Sequence, residues 1–171
     1  EFQRTFRIPD DGKTYSLPPG FGKFPLFHVD DYAESVPTSW IEHGGVMFPM
    51  YQSEALWINL VSYPNDTDHY EFAEYPFAIK IAAGKVNALT GEPWTESLQS
   101  SPQDYLVSTE QPWLDGYSIE KGVIKQFVAM PLGAGYTAEE QLTEEAKHGG
   151  LQIIVYPMKK SSYERLFPPR E

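Results

Sequence analysis

The sequence of 171 residues contains no cysteine. Disulfide bonds, thiol–disulfide redox chemistry, thiolate metal sites and cysteine nucleophiles are therefore excluded. The sequence also lacks an apolar run of roughly 18 residues, the length that a membrane-spanning helix needs, so no membrane partner is expected. Residues 1–4 (EFQR) show no apolar segment of the kind found in secretory signals. We expect a cytoplasmic location, with secretion kept open in case a signal peptide has been removed.

Basic side chains are scarce in the central part of the chain. Residues 24–120 contain 15 acidic residues and only two basic ones, Lys80 and Lys85, a net charge of 2 − 15 = −13. Residues 1–23 and 121–171 each carry +1, so the whole chain has a charge of −11. Because nucleic-acid binding requires cations to neutralise phosphates, we expect no nucleic-acid partner. The acidic stretch indicates either a solvated, self-repelling surface or a docking surface for a cation or a basic partner.

Strand patterns dominate the chain and predict an α+β, mostly β fold of about eight strands. No Ser-, Gly- or Pro-rich linker interrupts the sequence, so residues 1–171 are expected to form a single compact domain. Within it, residues 1–25 are predicted to be a turn-rich N-terminal wrap. Residues 159–171 are predicted to be a C-terminal tail.

Two β-hairpins are predicted from strand patterns that flank short turns. Near residues 77–89, large apolar side chains alternate with Ala and Lys, as expected for a half-buried strand. The glycine in the following Gly84-Lys85 turn favours type II′, which has glycine at its first central position. The second hairpin lies near residues 117–130 and is expected to turn at Lys121-Gly122.

Two short helices are also predicted. For residues 137–148, Thr137 and Glu140 form a capping box, and Gly149 is suited to the left-handed position that ends a helix. The second helix spans residues 37–43 and begins with a proline, which is favoured in the first helical turn.

A His-Gly-Gly sequence occurs twice, at residues 43–45 and 148–150. Each copy is followed by a predicted strand and then by an aromatic-Pro-Met sequence. A helix end, a glycine cap, a buried strand and a terminating proline account for both copies. Since the spacings differ and the flanking sequences do not align, shared capping chemistry is favoured over internal duplication.

The segment 133–138 (GAGYTA) matches the G-x-G-x-x-A pattern of dinucleotide-binding loops. However, Pro131-Leu132 separates it from the preceding strand, and Glu139 and Glu140 would repel a pyrophosphate at the start of the helix. The chain also shows no series of βαβ units. We therefore interpret the segment as a strand-to-helix loop and expect no nucleotide cofactor.

The histidines show no metal-binding spacing, because His28, His43, His69 and His148 are far apart in the sequence. The acidic segment 65–71 (NDTDHYE) lacks the residue order and the glycine of an EF-hand, so an ordinary turn is favoured over a Ca²⁺ loop. No G-x-S-x-G nucleophile motif is present. We expect neither a resident metal nor another cofactor.

Aromatic residues provide the strongest indication of binding. Trp94 and Trp113 each follow a proline in a loop-like stretch, and Asp115 lies close to the second. Such side chains suit a platform for sugar rings or an apolar anchor, although large rings also serve to fill a β-rich core. We predict a binding or interaction module that takes a glycan or a basic protein segment through Trp94, Trp113 and Asp115.

The alternative function is that of a small hydrolase, with or without an assisting metal. Its candidate residues are His43 with the neighbouring Glu42, and His28 with the nearby Asp30. A hydrolase requires these groups to share a concave pocket, whereas a binding module requires accessible aromatic side chains. The sequence predicts no oligomeric state.

Overall fold

The computed structural model describes residues 1–61, 75–108 and 110–168. Within these ranges the chain forms eleven strands, three α-helices and one 3₁₀ helix, Val29–Tyr32. The strands are Phe2–Thr5 (β1), Phe27–His28 (β2), Val46–Met47 (β3), Ala55–Asn59 (β4), Phe77–Ala83 (β5), Val86–Asn87 (β6), Leu106–Val107 (β7), Trp113–Leu114 (β8), Gly116–Glu120 (β9), Val123–Val128 (β10) and Leu151–Pro157 (β11). The helices are Thr38–His43 (α1), Ala138–Thr143 (α2) and Lys160–Leu166 (α3). The predicted α+β, mostly β fold class is confirmed.

The strands form two larger sheets and one small ribbon, and every pairing is antiparallel. In the first sheet the order is β1-β4-β10-β9, with β8 also paired to β4. In the second sheet β5 pairs with β11 over its whole length and with β6 and β7 along its other edge. Strands β2 and β3 form the ribbon.

The hydrophobic core draws on both larger sheets. Leu56 of β4 and Phe127 of β10 come from the first sheet, and Ile81 and Ala83 of β5 come from the second. All four belong to one cluster of buried side chains. Because these side chains lose their contact with water together, the core fixes the two sheets, and hence the loops at their ends, relative to each other.

Both predicted hairpins are present, but the first has a different turn. Gly84 and Lys85 have φ values of 57° and 64°. Positive φ at both central residues defines a type I′ turn, so the prediction of type II′ is wrong. Lys85 is held in this conformation because its N–H donates to Gln152 and its carbonyl accepts from Trp94. The second hairpin turns at Lys121-Gly122 as predicted.

Strand β5 is more deeply buried than its alternating pattern predicts. Its first three residues are partly buried. The last four, Lys80 to Ala83, are all buried, although their side chains point alternately to the two faces of the sheet. The half-buried interpretation therefore fails for this end of the strand. The reason is that β5 is an inner strand with partners on both edges, and a loop covers the face that carries Lys80.

Helix α2 begins at the predicted capping box but ends five residues early. Both hydrogen bonds between Thr137 and Glu140 are formed, whereas the helix ends at Thr143 and Glu144 takes a left-handed conformation with φ 60°. The buried carboxylate of Glu139 explains the early end. It accepts hydrogen bonds from the N–H groups of residues 147–149 at 2.7–3.1 Å, which turns the chain back towards the helix.

The two His-Gly-Gly sequences have different structural roles. After α1, Gly44 caps the helix, and its N–H donates to the carbonyl of Trp40 at 2.8 Å. The second copy does not end a helix, since Gly149 donates instead to the Glu139 carboxylate. The shared capping chemistry inferred for both copies therefore applies only to the first.

Regular elements occur within the predicted N-terminal wrap and C-terminal tail. Strand β1 extends the first sheet by pairing with β4. Helix α3 packs its Tyr163 ring against Tyr75, with 4.5 Å between the ring centroids. None of the helices in the described ranges is long and apolar enough to cross a membrane.

The hydrogen bonds from residues 147–149 to the Glu139 carboxylate predict an acid-sensitive contribution to stability. Burial alone would raise the pKa of Glu139, but the N–H groups of Gly149, Lys147 and His148 hold the pKa below its usual range. A lowered pKa in the folded state stabilises the protein above the usual carboxyl value of about 4.3, and this stabilisation is lost as the pH falls below it. We expect Glu139→Gln to lower the free energy of unfolding at pH 7 by about 2–3 kcal/mol.

Urea denaturation as a function of pH checks this prediction. The difference between wild type and Glu139→Gln should be largest at neutral pH and should shrink below about pH 4. The exposed Glu145→Gln is the control, because its carboxylate makes only a surface ion pair with Lys147. A difference that does not depend on pH would contradict the role assigned to the ionised carboxylate.

Candidate ligand-binding groove

Lys80 is the structural anchor of the candidate site. Its side chain is only 1% exposed, and its ammonium lies 2.6 Å from Asp104 Oδ2. The same nitrogen donates to Thr95 Oγ1 at 2.9 Å and to the Ser97 carbonyl at 2.7 Å. Because an ammonium has three N–H donors, this set of partners satisfies it. The Lys80 anchor, meaning Lys80 with Thr95, Ser97 and Asp104, thus ties the loop after β6 to the face of β5.

Asp104 extends the anchor to β6. Its Oδ1 accepts the N–H of Gln99 at 2.9 Å, and its carbonyl accepts the side-chain amide of Asn87 at 2.9 Å. Burial alone would raise the pKa of Asp104, but the Lys80 ammonium and the Gln99 N–H hold the pKa below its usual range. The buried Asn87 also accepts the N–H groups of Leu89 and Thr90. Both ends of the loop from residue 88 to residue 104 are therefore fixed by buried polar contacts.

Trp94 is positioned by this loop. Its N–H donates to the carbonyl of Lys85 at 2.9 Å, next to a bridge between Val86 and Pro93. The ammonium groups of Lys80 and Lys85 lie 5.4 and 5.9 Å from the centre of the indole ring, within the range of cation–π attraction. The indole N–H has no hydrogen-bond partner among the described residues. Trp94 is thus partly buried and fixed in position, and its indole N–H can donate a hydrogen bond to a ligand.

A large, partly enclosed groove with a volume of about 2120 Å³ is lined by Trp94, and the buried core residues Leu56 and Phe127 also line it. Its walls come from the segment 7–18, from α1 and β10, from the start of α2 and from the first half of β11. Asp115 and Tyr117 line it next to the second hairpin. The exposed rings of Trp40 and Tyr136 also face it.

The positive and negative charges that line the groove are equal in number, although the chain as a whole is acidic. Five carboxylates line it: Asp10, Glu96, Asp115, Glu120 and Glu139. Five cationic side chains also line it: Arg7, Lys13, Lys85, Lys125 and Lys147. The formal charge of the lining is therefore 5 − 5 = 0 with His neutral. The acidic surplus lies elsewhere, for example around α1, where the exposed Asp30, Asp31, Glu34 and Glu42 lie outside the groove.

Two side chains at the groove are suited to hydrogen bonding with a polar ligand. The Asp115 carboxylate is partly exposed and makes no hydrogen bond or ion pair to the described residues, so its oxygens can accept from a ligand. Burial raises the pKa of the Tyr117 hydroxyl, and the negative charge of Asp10 adds to this effect. Tyr117 therefore stays a neutral donor and acceptor across the physiological range.

The structure separates the three predicted ligand-binding residues. Trp94 and Asp115 both line the groove. Trp113 does not line it; the residue lies on β8, opposite Asn59 of β4, with 49% of its surface exposed. Of the two tryptophans, therefore, only Trp94 lines the groove that Asp115 also lines.

The residues of the alternative hydrolase site lie on neighbouring elements, since the segment Val29–Tyr32 contacts both β2 and α1, but only His43 lines the groove. His43 lines the groove, and its Nδ1 donates to the Ser39 carbonyl, which can only accept. His28 lies on β2 opposite Val46, and neither it nor Asp30 or Glu42 lines the groove. Within residues 1–61, 75–108 and 110–168, no three His, Asp or Glu side chains lie close enough to hold a metal ion. The segment 65–71, with His69, lies outside the described residues.

The glycine-rich segment 133–138 is a loop that leads into α2 at Ala138, as interpreted from the sequence. The side chain of Glu140 takes the position that a nucleotide phosphate would need, since it accepts the N–H groups of Gly135 and Thr137. The Thr137 hydroxyl and the Gly135 N–H hold the pKa of Glu140 below its usual range.

Sequence reasoning did not identify Lys80, Asn87 and Asp104 as residues that build the site. For Lys80 a local signal exists, because Ala78 and Ala82 flank it on the same face of β5. Small apolar neighbours indicate a packed face rather than a solvated one. For Asp104 no such signal exists, since its partner lies 24 residues away.

No protein-family model, curated protein or solved structure matches the chain. The geometry of the groove is therefore the basis on which a function is assigned.

Replacing Lys80 by an apolar residue of similar length should strongly destabilise the protein. Lys80→Met leaves the Asp104 carboxylate buried without its partner, which costs about 3–5 kcal/mol in comparable sites. Lys125→Met is the matched control, because Lys125 also lies on a strand but pairs with the exposed Asp10 at 3.2 Å. We expect that control to cost less than about 1 kcal/mol.

Chemical denaturation followed by circular dichroism measures both effects. Equal stabilities for Lys80→Met and Lys125→Met would show that the buried ion pair does not hold the loop.

Proposed function

We propose that the protein is a binding module and that its ligand is a glycan held in the groove beside Trp94. The observation that carries this proposal is the composition of the groove: aromatic rings, balanced charges and polar groups without internal partners. A sugar chain presents apolar C–H faces, which suit aromatic rings, and hydroxyl groups, which need both donors and acceptors.

The size of the groove favours an extended ligand. Pockets for small molecules commonly measure about 300–1,000 Å³. The groove, at about 2120 Å³, is larger. Several sugar units in a row would use this volume better than one small molecule.

The groups that line the groove suit contacts with a sugar chain. Trp94 is partly buried, and its indole N–H has no hydrogen-bond partner among the described residues. The Asp115 carboxylate and the Lys85 ammonium, which makes no ion pair among the described residues, can bond to hydroxyl groups. Tyr136, which is 60% exposed, and Trp40 supply further ring surface in the same groove.

A basic protein segment, the other expected ligand, is less well supported at this site. The groove carries no net negative charge, and the exposed carboxylates around α1 lie outside it. The hydrolase alternative and the cytoplasmic location stay predictions. Of the four hydrolase candidates, only His43 lines the groove.

Glycan binding should depend on Trp94 and not on Trp113. We expect Trp94→Ala to weaken the affinity for a bound oligosaccharide about tenfold, which corresponds to roughly 1.4 kcal/mol. Asp115→Asn should weaken it less, because the amide keeps one acceptor oxygen. Trp113→Ala is the control, since it removes an equally large ring from a surface outside the groove.

A glycan array followed by isothermal titration calorimetry provides the measurement. Binding that persists at about 0.5 M salt fits a neutral ligand, whereas binding of a basic segment should be largely screened there. Equal losses in Trp94→Ala and Trp113→Ala would contradict the proposed site. If no neutral or charged glycan on the array binds, the ligand class is wrong.

A further inference from the structure

Strand β11 forms a long free edge of the second sheet. Its seven residues, Leu151–Pro157, pair with β5 along one side. No described strand pairs with the other side. An edge of this length presents a row of unpaired backbone groups, which is a template for another strand.

The hydrogen bonds at the two ends of β11 show which residues face outward. Gly150 accepts the N–H of Gly84, and the N–H of Met158 donates to Pro76. In an antiparallel pair, hydrogen-bonded residues alternate along the strand, so the even-numbered residues of β11 bond to β5. The N–H and carbonyl groups of Leu151, Ile153 and Val155 therefore point away from the sheet.

The edge is seven residues long, and its sequence lacks two features that usually prevent strand addition, namely charged side chains and an internal proline. No residue from Leu151 to Pro157 is charged, and the one proline is at the end of the strand. Ile153 and Val155 are 41% and 51% exposed on the same face. Short length, inward-facing charges, bulges or covering loops commonly protect such edges.

We propose that a second copy of this chain pairs with β11, antiparallel and about a two-fold axis at Ile153. In this register Ile153 faces the same residue of the second copy, and Leu151 faces Val155. Every outward N–H and carbonyl of these three residues then finds a partner. The second sheets of the two copies become one continuous sheet.

The charges that flank the strand favour a second copy over an unrelated strand. Residues 144–148 carry two Glu and one Lys, a net charge of 1 − 2 = −1. Residues 158–164 carry two Lys and one Glu, a net charge of 2 − 1 = +1. Antiparallel pairing brings the negative flank of each copy to the positive flank of the other, and it brings apolar side chains together at the centre. The strand is thus complementary to itself.

Strand pairing alone buries less surface than the roughly 1,200 Å² of a stable interface. The dimer should therefore be weak and should depend on concentration. Since the first half of β11 lines the groove, the dimer would also present two grooves and could bind a repeating ligand with avidity. This last consequence, unlike the pairing itself, rests on the proposed function.

Single-cysteine variants test the register, because the chain has no cysteine of its own. At the two-fold axis the paired Cα atoms are about 5.5 Å apart, which allows a disulfide. Ile153→Cys should therefore form covalent dimers under mild oxidation. In Val155→Cys the two cysteines are displaced by four positions, about 13 Å along the strand, so this matched control should form no disulfide-linked dimer. Val46→Cys, at a similarly exposed position on β3, reports random collisions.

Amide hydrogen exchange of the wild-type chain provides a second readout that requires no substitution. The amides of Gln152, Ile154 and Tyr156 should exchange slowly at every concentration. Those of Leu151, Ile153 and Val155 should exchange rapidly when dilute and slowly when concentrated, in step with dimer formation in sedimentation.

Rapid exchange of the outward amides at all concentrations would overturn the proposal. Equal cross-linking of Ile153→Cys and Val155→Cys would also overturn it. Failure of glycan binding would leave both results unaffected, so the two proposals can fail separately.

Discussion

The groove depends on one buried interaction, the ion pair between Lys80 and Asp104. An ammonium and a carboxylate withdrawn from water are stable only when every hydrogen-bonding group has a partner. The Lys80 anchor meets this condition with three acceptors, and Asp104 adds the amide of Asn87 and the N–H of Gln99. These bonds hold a loop without regular structure against the sheet. The position of Trp94, and with it one wall of the groove, follows from them.

A second buried charge stabilises another part of the groove lining in a different way. Glu139 has no cationic partner among the described side chains, and its ionised carboxylate is stabilised by backbone N–H groups of residues 147–149. The same side chain packs against Gly84, where a Cβ atom would come within 2.4 Å of it, so that turn requires glycine. Lys80 thus fixes the loop that follows β6, and Glu139 fixes the turn between β5 and β6.

Features that depend on neighbouring residues could be predicted from the sequence, and features that depend on distant pairings could not. The capping box at Thr137 and the turns at Gly84 and Gly122 follow from local chemistry. The turn at Gly84 is nevertheless type I′ and not type II′, because the backbone of Lys85 is in the left-handed conformation. The end of α2 depends on the contact of Glu139 with residues eight to ten positions later, which no helix pattern encodes. Likewise, Trp94 and Trp113 have similar local sequences, yet pairing of β8 with β4 places only Trp113 outside the groove.

The most direct test of this account follows the indole N–H signals of the four tryptophans in a ¹H–¹⁵N spectrum while an oligosaccharide that binds is added. We predict that the signals of Trp94 and Trp40 shift in wild type, while those of Trp113 and Trp57 do not. In Lys80→Met, kept below its unfolding temperature, the response of Trp94 should be lost because its loop is no longer held. A shift of Trp113 with an unchanged Trp94, or an unaltered Trp94 response in Lys80→Met, would contradict the account.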